Sequence, residues 1–203
     1  MTRLTYYSVV CLVLFVSSQA FGVTGMGLGV RAGVVANYDN PDLSFEEARQ
    51  MDIDQLSMVG GHFRISSLPV FTYEVIAEYN WHKKDYSVLG TDVSVKVRDF
   101  MLGLNLKYMF RIPVVTPYIG GGIASHQMTY EFEPSLGSII GGATVIIPDD
   151  GPRFGVHGLA GVMLGFPTSP IEFFVEGRMG KISGDNESTT YSAVYGGVTL
   201  KLL

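Results

Sequence analysis

The sequence predicts an all-β protein, an eight-stranded antiparallel up-and-down β-barrel that crosses a membrane. The first observation is strand periodicity, clearest between Phe100 and Phe110, where every even position is apolar or aromatic; no helix would sort residues onto faces in this way. The second is a mean hydropathy of +0.26 with only 16% charged residues. The third is that no apolar run beyond residue 20 approaches the roughly 20 residues of a transmembrane helix. A closed barrel is the remaining structure that satisfies every backbone polar group in lipid.

The first 20 residues are predicted to be a secretory signal peptide, so the barrel domain would comprise residues 21–203. Arg3 gives this segment a positively charged start, residues 9–16 are apolar, and small residues end at Ala20, which places cleavage after that alanine. Cys11 is the single cysteine and would be removed, so we expect neither disulfides nor thiol chemistry. The formal charge of −5 argues against a nucleic-acid partner, which would require a basic patch.

The first four strands are predicted from alternation and from the segments that separate them. Strand one has apolar residues at its even positions and is followed by an acidic connection over 38–55, in which Ser44 and Glu47 fit a capping box and predict a helical turn. Strand two ends in a short turn before Pro69, and strand three leads into a polar connection over 83–92. The four strands are expected at about 25–37, 56–66, 71–82 and 98–110.

The last four strands follow from the same signals. Residues 111–117 hold two prolines, which are unfavourable in a central strand, so a turn is predicted there. A long connection over 133–152 follows strand five, and its segment 138–147 is unusually apolar. We expect that segment to extend a hairpin above the membrane, to bind a partner, or to add two strands for a total of ten. Strands five to eight are expected at about 118–132, 153–166, 171–183 and 190–203.

The connections after odd-numbered strands are longer than those after even-numbered strands. Bacterial outer-membrane barrels show this asymmetry, with short periplasmic turns and longer extracellular loops. Both ends of the mature chain would then lie in the periplasm. We therefore expect the outer-membrane lipid bilayer as the surrounding partner, and an extracellular ligand or surface partner at loops 38–55 and 133–152.

Aromatic residues recur at the spacing of two membrane interfaces. Ten residues of a strand tilted near 40° rise roughly 25 Å along the membrane normal, close to the height of the apolar band. The same alternation would fit a soluble lipocalin-like barrel with its apolar face inward, but the apolarity of the chain and its aromatic strand ends favour a membrane. The predicted interface aromatics are Phe71, Trp81, Phe100, Phe110, Tyr118, Tyr130, Phe154 and Phe166.

With the apolar faces in lipid, the polar faces must line the interior. An eight-stranded barrel has room inside only for its own side chains, and an enclosed charge must be paired because an unpaired one is strongly destabilising. The near balance of cations and carboxylates predicts a charge network that fills the barrel; the alternative is that Glu74, Glu78 and Arg178 conduct or gate ions. The predicted network is Arg31, Arg64, Glu74, Glu78, Asp99, Lys107, Glu172, Glu176, Arg178 and Lys201, with His62, Arg153 and His157 on the same faces.

No catalytic, cofactor-binding or metal site is predicted. The histidines lack ligand-type spacing, and the glycines at 120–122 lack the lysine and following helix of a phosphate-binding loop. Ser125 and His126 are adjacent, but neighbours in a strand point to opposite faces and cannot form a catalytic dyad. A histidine near the outer leaflet with a serine from another strand would be the lipid-modifying alternative.

Three segments carry a family resemblance: residues 117–124 (PYIGGGIA), 173–178 (FFVEGR) and 195–200 (YGGVTL). They resemble strands of the small outer-membrane barrels of the OmpA-type transmembrane domain and the OmpX-like group. The resemblance implies an integral outer-membrane protein of a Gram-negative-type envelope, with no catalytic residues to transfer. The chain ends in Leu203 where that family usually ends in an aromatic residue, and we expect no periplasmic peptidoglycan-binding domain.

The sequence therefore favours a non-enzymatic outer-membrane barrel whose extracellular loops serve adhesion, binding or envelope stability. A narrow porin for small solutes is the first alternative, and an outer-membrane lipid-modifying enzyme is the second. Conductance across a bilayer separates the first two, and analysis of membrane lipids separates the third.

Overall fold

The structure is a computed structural model that describes residues 23–36, 55–67, 70–88, 91–133, 152–166, 168–183 and 188–202. These residues form a closed barrel of eight strands, each antiparallel to its neighbours in the chain, with β1 paired to β8. The predicted fold class is therefore confirmed. The described ranges contain no helix long and apolar enough to cross a membrane. The strands are β1 Val23–Ala36, β2 Gln55–Ser67, β3 Phe71–Val88, β4 Thr91–Met109, β5 Val115–Glu133, β6 Pro152–Gly165, β7 Ile171–Ser183 and β8 Ser188–Lys201.

Side chains alternate along β4 in a way that represents the whole barrel. Met101, Asn105 and Lys107 point inward and are 1–5% exposed, whereas Leu104 points outward and is 52% exposed. This sorting follows from the two-residue period of a pleated strand. It gives the barrel an outer wall rich in leucine, isoleucine, valine and phenylalanine and an interior rich in polar groups. An apolar outer band around a polar interior is the arrangement of a transmembrane barrel.

The β3–β4 hairpin is longer than the sequence predicted. β3 continues to Val88 and β4 begins at Thr91, and the two strands stay paired along their whole length. The prediction of a polar connection over 83–92 is therefore wrong. Strand pairing is made by backbone N–H and C=O groups, so a run of polar side chains does not by itself end a strand.

β5 begins at Val115, inside the segment that was predicted to be a turn. Pro117 pairs with Val162 of β6, and the Pro117 carbonyl accepts a hydrogen bond from the Phe110 N–H at 2.8 Å. A proline lacks only the backbone donor and is tolerated near the start of a strand. In the shorter turn that remains, Val114 has a φ of 72°, which is rare for a β-branched residue.

The barrel has two distinct ends. The short-turn end carries connections 68–70, 110–114 and 166–170, together with the start of β1 and the end of β8. The opposite end, the loop end, carries the connections 37–54, 89–90, 134–151 and 184–187. The predicted difference in length is therefore found after β1 and β5 but is wrong after β3 and β7, whose connections are shorter than 110–114 and 166–170.

Several predictions fall on parts of the chain outside the described residues. They are the signal peptide over 1–20, the helical turn near Ser44 and the apolar segment 138–147. The alternative of ten strands is wrong, because β5 pairs directly with β6 and the described barrel closes with eight strands.

Candidate functional site

Six buried charged side chains meet inside the barrel and form a cluster that we call the charge ring. Each residue is at most 5% exposed, and their formal charges cancel because three are cations and three are carboxylates. They come from β1, β3, β4 and β7, so only the closed barrel can bring them together. The members are Arg31, Glu74, Glu78, Lys107, Glu176 and Arg178.

Cations and carboxylates alternate around the ring, and one of the ion pairs is bidentate. Arg178 donates to Glu78 through both terminal nitrogens, at 2.7 and 2.8 Å. Arg31 lies beside the same carboxylate, with Nη1 at 3.2 Å from Glu78 Oε1, and its Nη2 lies 2.8 Å from Glu74 Oε1. Charge-assisted bonds of this kind are about twice as strong as neutral ones.

Lys107 and Tyr195 complete the ring. Lys107 Nζ lies 2.8 Å from Glu74 Oε2 and 2.6 Å from Glu176 Oε2. The Tyr195 hydroxyl accepts a hydrogen bond from Arg178 Nη2 at 2.6 Å and donates one to Glu176. Every carboxylate of the ring therefore contacts at least one cation, which is the condition for keeping charges inside a barrel.

Aromatic side chains line the ring. The Arg31 guanidinium carbon lies 5.0 Å from the centre of the Tyr195 ring and 5.5 Å from that of Phe174. Lys107 Nζ lies 4.8 Å from the centre of the Tyr118 ring. Such cation–π contacts gain strength where water is excluded.

Tyr118 corrects one of the predicted interface positions. It was expected to face the membrane, but it is 3% exposed and its hydroxyl donates to Glu176 at 2.9 Å. The even positions of β5 face inward, as the buried Ala124 and His126 also show. Gly120 and Gly122 share this face. These small residues near Tyr118 were the sequence signal that the face packs against a crowded interior.

Neutral polar side chains bind the remaining groups near the ring. Asn105 donates to Glu74 at 2.9 Å, and its amide oxygen lies 2.6 Å from His157 Nε2. His62 Nε2 lies 2.8 Å from the Thr199 hydroxyl oxygen. The two histidines that the sequence placed on inward faces are thus hydrogen-bonding members of the interior.

The other four residues of the predicted network lie apart from the ring. Asp99 lies nearer the loop end, where its Oδ2 is 3.0 Å from His126 Nδ1. At the short-turn end, Arg64 pairs with Glu172, and Lys201 Nζ lies 3.8 Å from Glu172 Oε1. The structure thus divides the ten residues into three separate groups.

Toward the loop end, buried apolar side chains lie at the same level as Asp99, which pairs with Met128. We call this part of the buried hydrophobic cluster the apolar plug, and each of its side chains is at most 6% exposed. Sequence reasoning missed the plug because it assigned every inward position to the polar face. The members of the plug are Val35, Leu56, Met58, Val97, Met128 and Ile182.

Exposed aromatic side chains mark both ends of the β3–β4 wall. Toward the short-turn end, the Tyr108 ring meets Phe71 and Phe110 edge-on, with centroid distances of 5.5 and 4.9 Å. Toward the loop end, the Tyr79 and Trp81 rings stack at 5.8 Å. The side chain of Tyr130 lies outside what the structure describes. The predicted interface aromatics Phe100, Phe110, Phe154 and Phe166 are 45–56% exposed.

The adjacent serine and histidine point in opposite directions. Ser125 is on the outer wall, whereas His126 is 2% exposed inside the barrel beside Asp99. Across the described part of the chain, no three histidine, cysteine, aspartate or glutamate side chains gather as metal ligands would.

Comparison with known proteins relates the chain to others by fold. No protein-family model matches it, and no curated protein does so either. Among solved structures, it is similar to Neisserial surface protein A, with 14% identity, a TM-score of 0.55 and coverage of 88% of this chain and 98% of that chain.

Two further structures overlap it at lower TM-scores. One is the N-terminal β-barrel domain of Pseudomonas aeruginosa OprF, with 12% identity, a TM-score of 0.43 and coverage of 86% and 97% of the two chains. The other is Ail, the attachment invasion locus protein of Yersinia pestis, with 11% identity, a TM-score of 0.40 and coverage of 87% and 97%. The fold of this chain is that of the small outer-membrane β-barrels, as its resemblance to the OmpA-type and OmpX-like group implied.

Proposed function

We propose that this protein is an integral, non-enzymatic barrel of a bacterial outer membrane, exported by the signal peptide over 1–20. Its interior is a sealed structural core. The loops 38–55 and 133–152 carry its function as a binding, adhesive or envelope-stabilising surface. The fold and the apolar outer wall support this location.

The observation that carries the proposal is the filling of the interior. The charge ring occupies the middle of the barrel with paired groups, and the apolar plug occupies the loop-end side. A porin needs a continuous water-filled path, whereas an eight-stranded barrel filled by its own side chains has none. The narrow-porin alternative therefore has no support in these contacts, and a structural role for the barrel is favoured.

Two measurements test membrane insertion and sealing. The protein should be found in the outer-membrane fraction, with a folded gel band that shifts on boiling, and the purified protein should give no large steady conductance in planar bilayers. A protein recovered in soluble form from the periplasm would contradict the location. Steady conductance would contradict the sealed core.

The orientation is tested by external protease on whole cells. Cleavage is expected within 37–54 or 134–151, because these long connections lie at the loop end. The matched control is the 166–170 turn, which should be cut only after the envelope has been opened. Cleavage of that turn in intact cells would reverse the proposed orientation.

Lipid modification is the activity to exclude experimentally. His126 is buried inside the barrel and contacts Asp99, so a lipid in the surrounding membrane would have to enter the wall to reach it. We expect identical lipid profiles in cells that carry the native protein and the His126→Ala variant. A lipid species that depends on the native protein and disappears in the variant would contradict the non-enzymatic assignment.

A further inference from the structure

A cavity of about 420 Å³ opens at the short-turn end of the barrel. Its volume is within the range of about 300–1,000 Å³ that is typical of small-molecule sites. The lining includes residues from the turn at 110–114, from the ends of β2, β6 and β7, and from both terminal strands. We call this cavity the vestibule.

The vestibule is closed at its inner end. Arg64 Nη1 lies 2.8 Å from Met163 Sδ, and a void of only about 20 Å³ lies between the vestibule and the charge ring, lined by Arg64, Glu74 and Lys107. A space of that size holds about one water molecule. The vestibule therefore suits a ligand that enters and leaves by the same opening.

Cations outnumber carboxylates in the vestibule lining. Arg64, Arg111 and Lys201 face a single carboxylate, Glu172. Arg64 pairs with that carboxylate, and Lys201 lies 3.8 Å from it. Arg111 makes no ion pair within the described residues, so the lining presents one guanidinium that a ligand can neutralise. A guanidinium binds carboxylates in a planar, bidentate geometry.

The rest of the lining combines hydroxyls with apolar side chains. Thr72 and Thr116 offer hydrogen-bonding groups, while the inward-facing Met109 and Met163 form an apolar wall. This mixture resembles small-molecule sites, in which apolar walls surround a few polar groups that orient the ligand. It suits an organic anion better than a bare inorganic one.

The rim of the vestibule is also strained. Val114 keeps a φ of 72° while its carbonyl accepts the Gly165 N–H at 2.9 Å. β-Branched residues persist in this conformation only where the surroundings hold them, and such residues concentrate at binding sites.

We propose that the vestibule binds a small organic carboxylate with an apolar side chain, about the size of an N-acylated amino acid. The carboxylate pairs with Arg111, and the apolar part contacts Met109 and Met163. This proposal requires the folded barrel but no particular membrane, so it can fail while the proposed function stands.

The test uses the folded protein in lipid nanodiscs with isotope-labelled methionine methyl groups. N-acetyl-leucine is the probe, and the uncharged N-acetyl-leucinamide is its matched control. Saturable shifts are expected at Met109 and Met163, which line the vestibule, and none at Met179 on the outer wall, which is 74% exposed. The amide should bind about tenfold more weakly, because it loses the charge-assisted bond.

The Arg111→Gln variant should weaken N-acetyl-leucine binding by about tenfold for the same reason. Lys181→Gln, which removes an exposed cation of β7 outside the lining, should leave binding unchanged. The proposal would be overturned if the acid and the amide gave equal responses, or if the two variants lost binding equally. Saturation by inorganic phosphate without a response to N-acetyl-leucine would also overturn it.

Discussion

Arg178 of β7 and Glu78 of β3 lie 100 residues apart in the chain and face each other inside the barrel, joined by two hydrogen bonds of 2.7 and 2.8 Å. Their strands are not neighbours in the sheet. This pair therefore forms only when the barrel closes, and it stabilises the closed state over any open sheet. Arg31 of β1 contacts the same carboxylate at 3.2 Å, which makes Glu78 the acceptor for two buried guanidinium groups.

Glu78→Gln should be strongly destabilising. The variant leaves Arg178 and Arg31 without their shared carboxylate, and breaking a buried pair by removing one partner costs about 3–5 kcal/mol. The free energy of unfolding can be measured by denaturant titration in lipid vesicles with the fluorescence of Trp81, the only tryptophan of the chain.

Glu172→Gln is the matched control for that variant. Glu172 also pairs with an arginine, but its side chain is 13% exposed and lines the vestibule. Access to water weakens an ion pair, so we expect a smaller loss than for Glu78→Gln. Equal losses in the two variants would contradict the central position that we assign to Glu78.

Tyr118→Phe tests the correction of an interface residue to an interior one. The variant removes the hydroxyl that donates to Glu176 at 2.9 Å and should lower the free energy of unfolding by about 1–2 kcal/mol. Tyr73→Phe is the control, because Tyr73 lies on the outer wall and is 53% exposed. If Tyr73→Phe cost more than Tyr118→Phe in the same titration, the inward placement would be contradicted.

Gly122→Ala should be destabilising because the added methyl group has no room. A Cβ at this position would lie 2.3 Å from Asn105 Oδ1 and 2.4 Å from the Leu104 carbonyl oxygen. Overpacking of this kind costs about 1–3 kcal/mol. At Gly158 of the neighbouring strand a Cβ would meet nothing within 4 Å, so Gly158→Ala should be neutral or slightly stabilising. A denaturant titration that finds both variants unchanged would show that the interior is loosely packed.

Leu104→Lys tests whether the outer wall contacts lipid. Leu104 lies on the outer wall between Phe100 and Phe110 and is 52% exposed. A lysine at the midplane of a bilayer costs about 2–4 kcal/mol, whereas one near the interface costs about 0–1 kcal/mol. Gln127→Lys is the interface control, because Gln127 pairs with Phe100. The unfolding free energies in vesicles should differ accordingly, and two equally mild variants would indicate a wall that meets water.

The alternation of residues was sufficient to predict the number of strands and the faces of most of them. It placed Arg31, Glu74 and Arg178 on inward faces, where the structure also has them. It failed at β5, where two prolines suggested a turn and the interior face was assigned to the wrong positions. It also failed at 83–92, because a polar composition does not distinguish a loop from a hairpin that rises above the apolar band.

The sequence pattern predicted which residues lie on the outer wall better than it predicted which interior residues contact each other. Periodicity tells which face a side chain takes, but the height of that side chain along the barrel depends on the stagger between paired strands. The sequence therefore predicted one charge network, whereas the structure separates the charge ring from Asp99 and from the Arg64–Glu172 pair. The apolar plug was missed for the same reason.

Local periodicity and short turns are enough to predict an apolar outer wall, inward charged residues and eight strands. Which interior groups meet depends on the closed barrel. Arg31 reaches Glu78 across 47 positions, and Arg178 reaches it across 100. Such contacts depend on closure of the barrel and on the register of every strand pair between them, and no local pattern of residues contains that information.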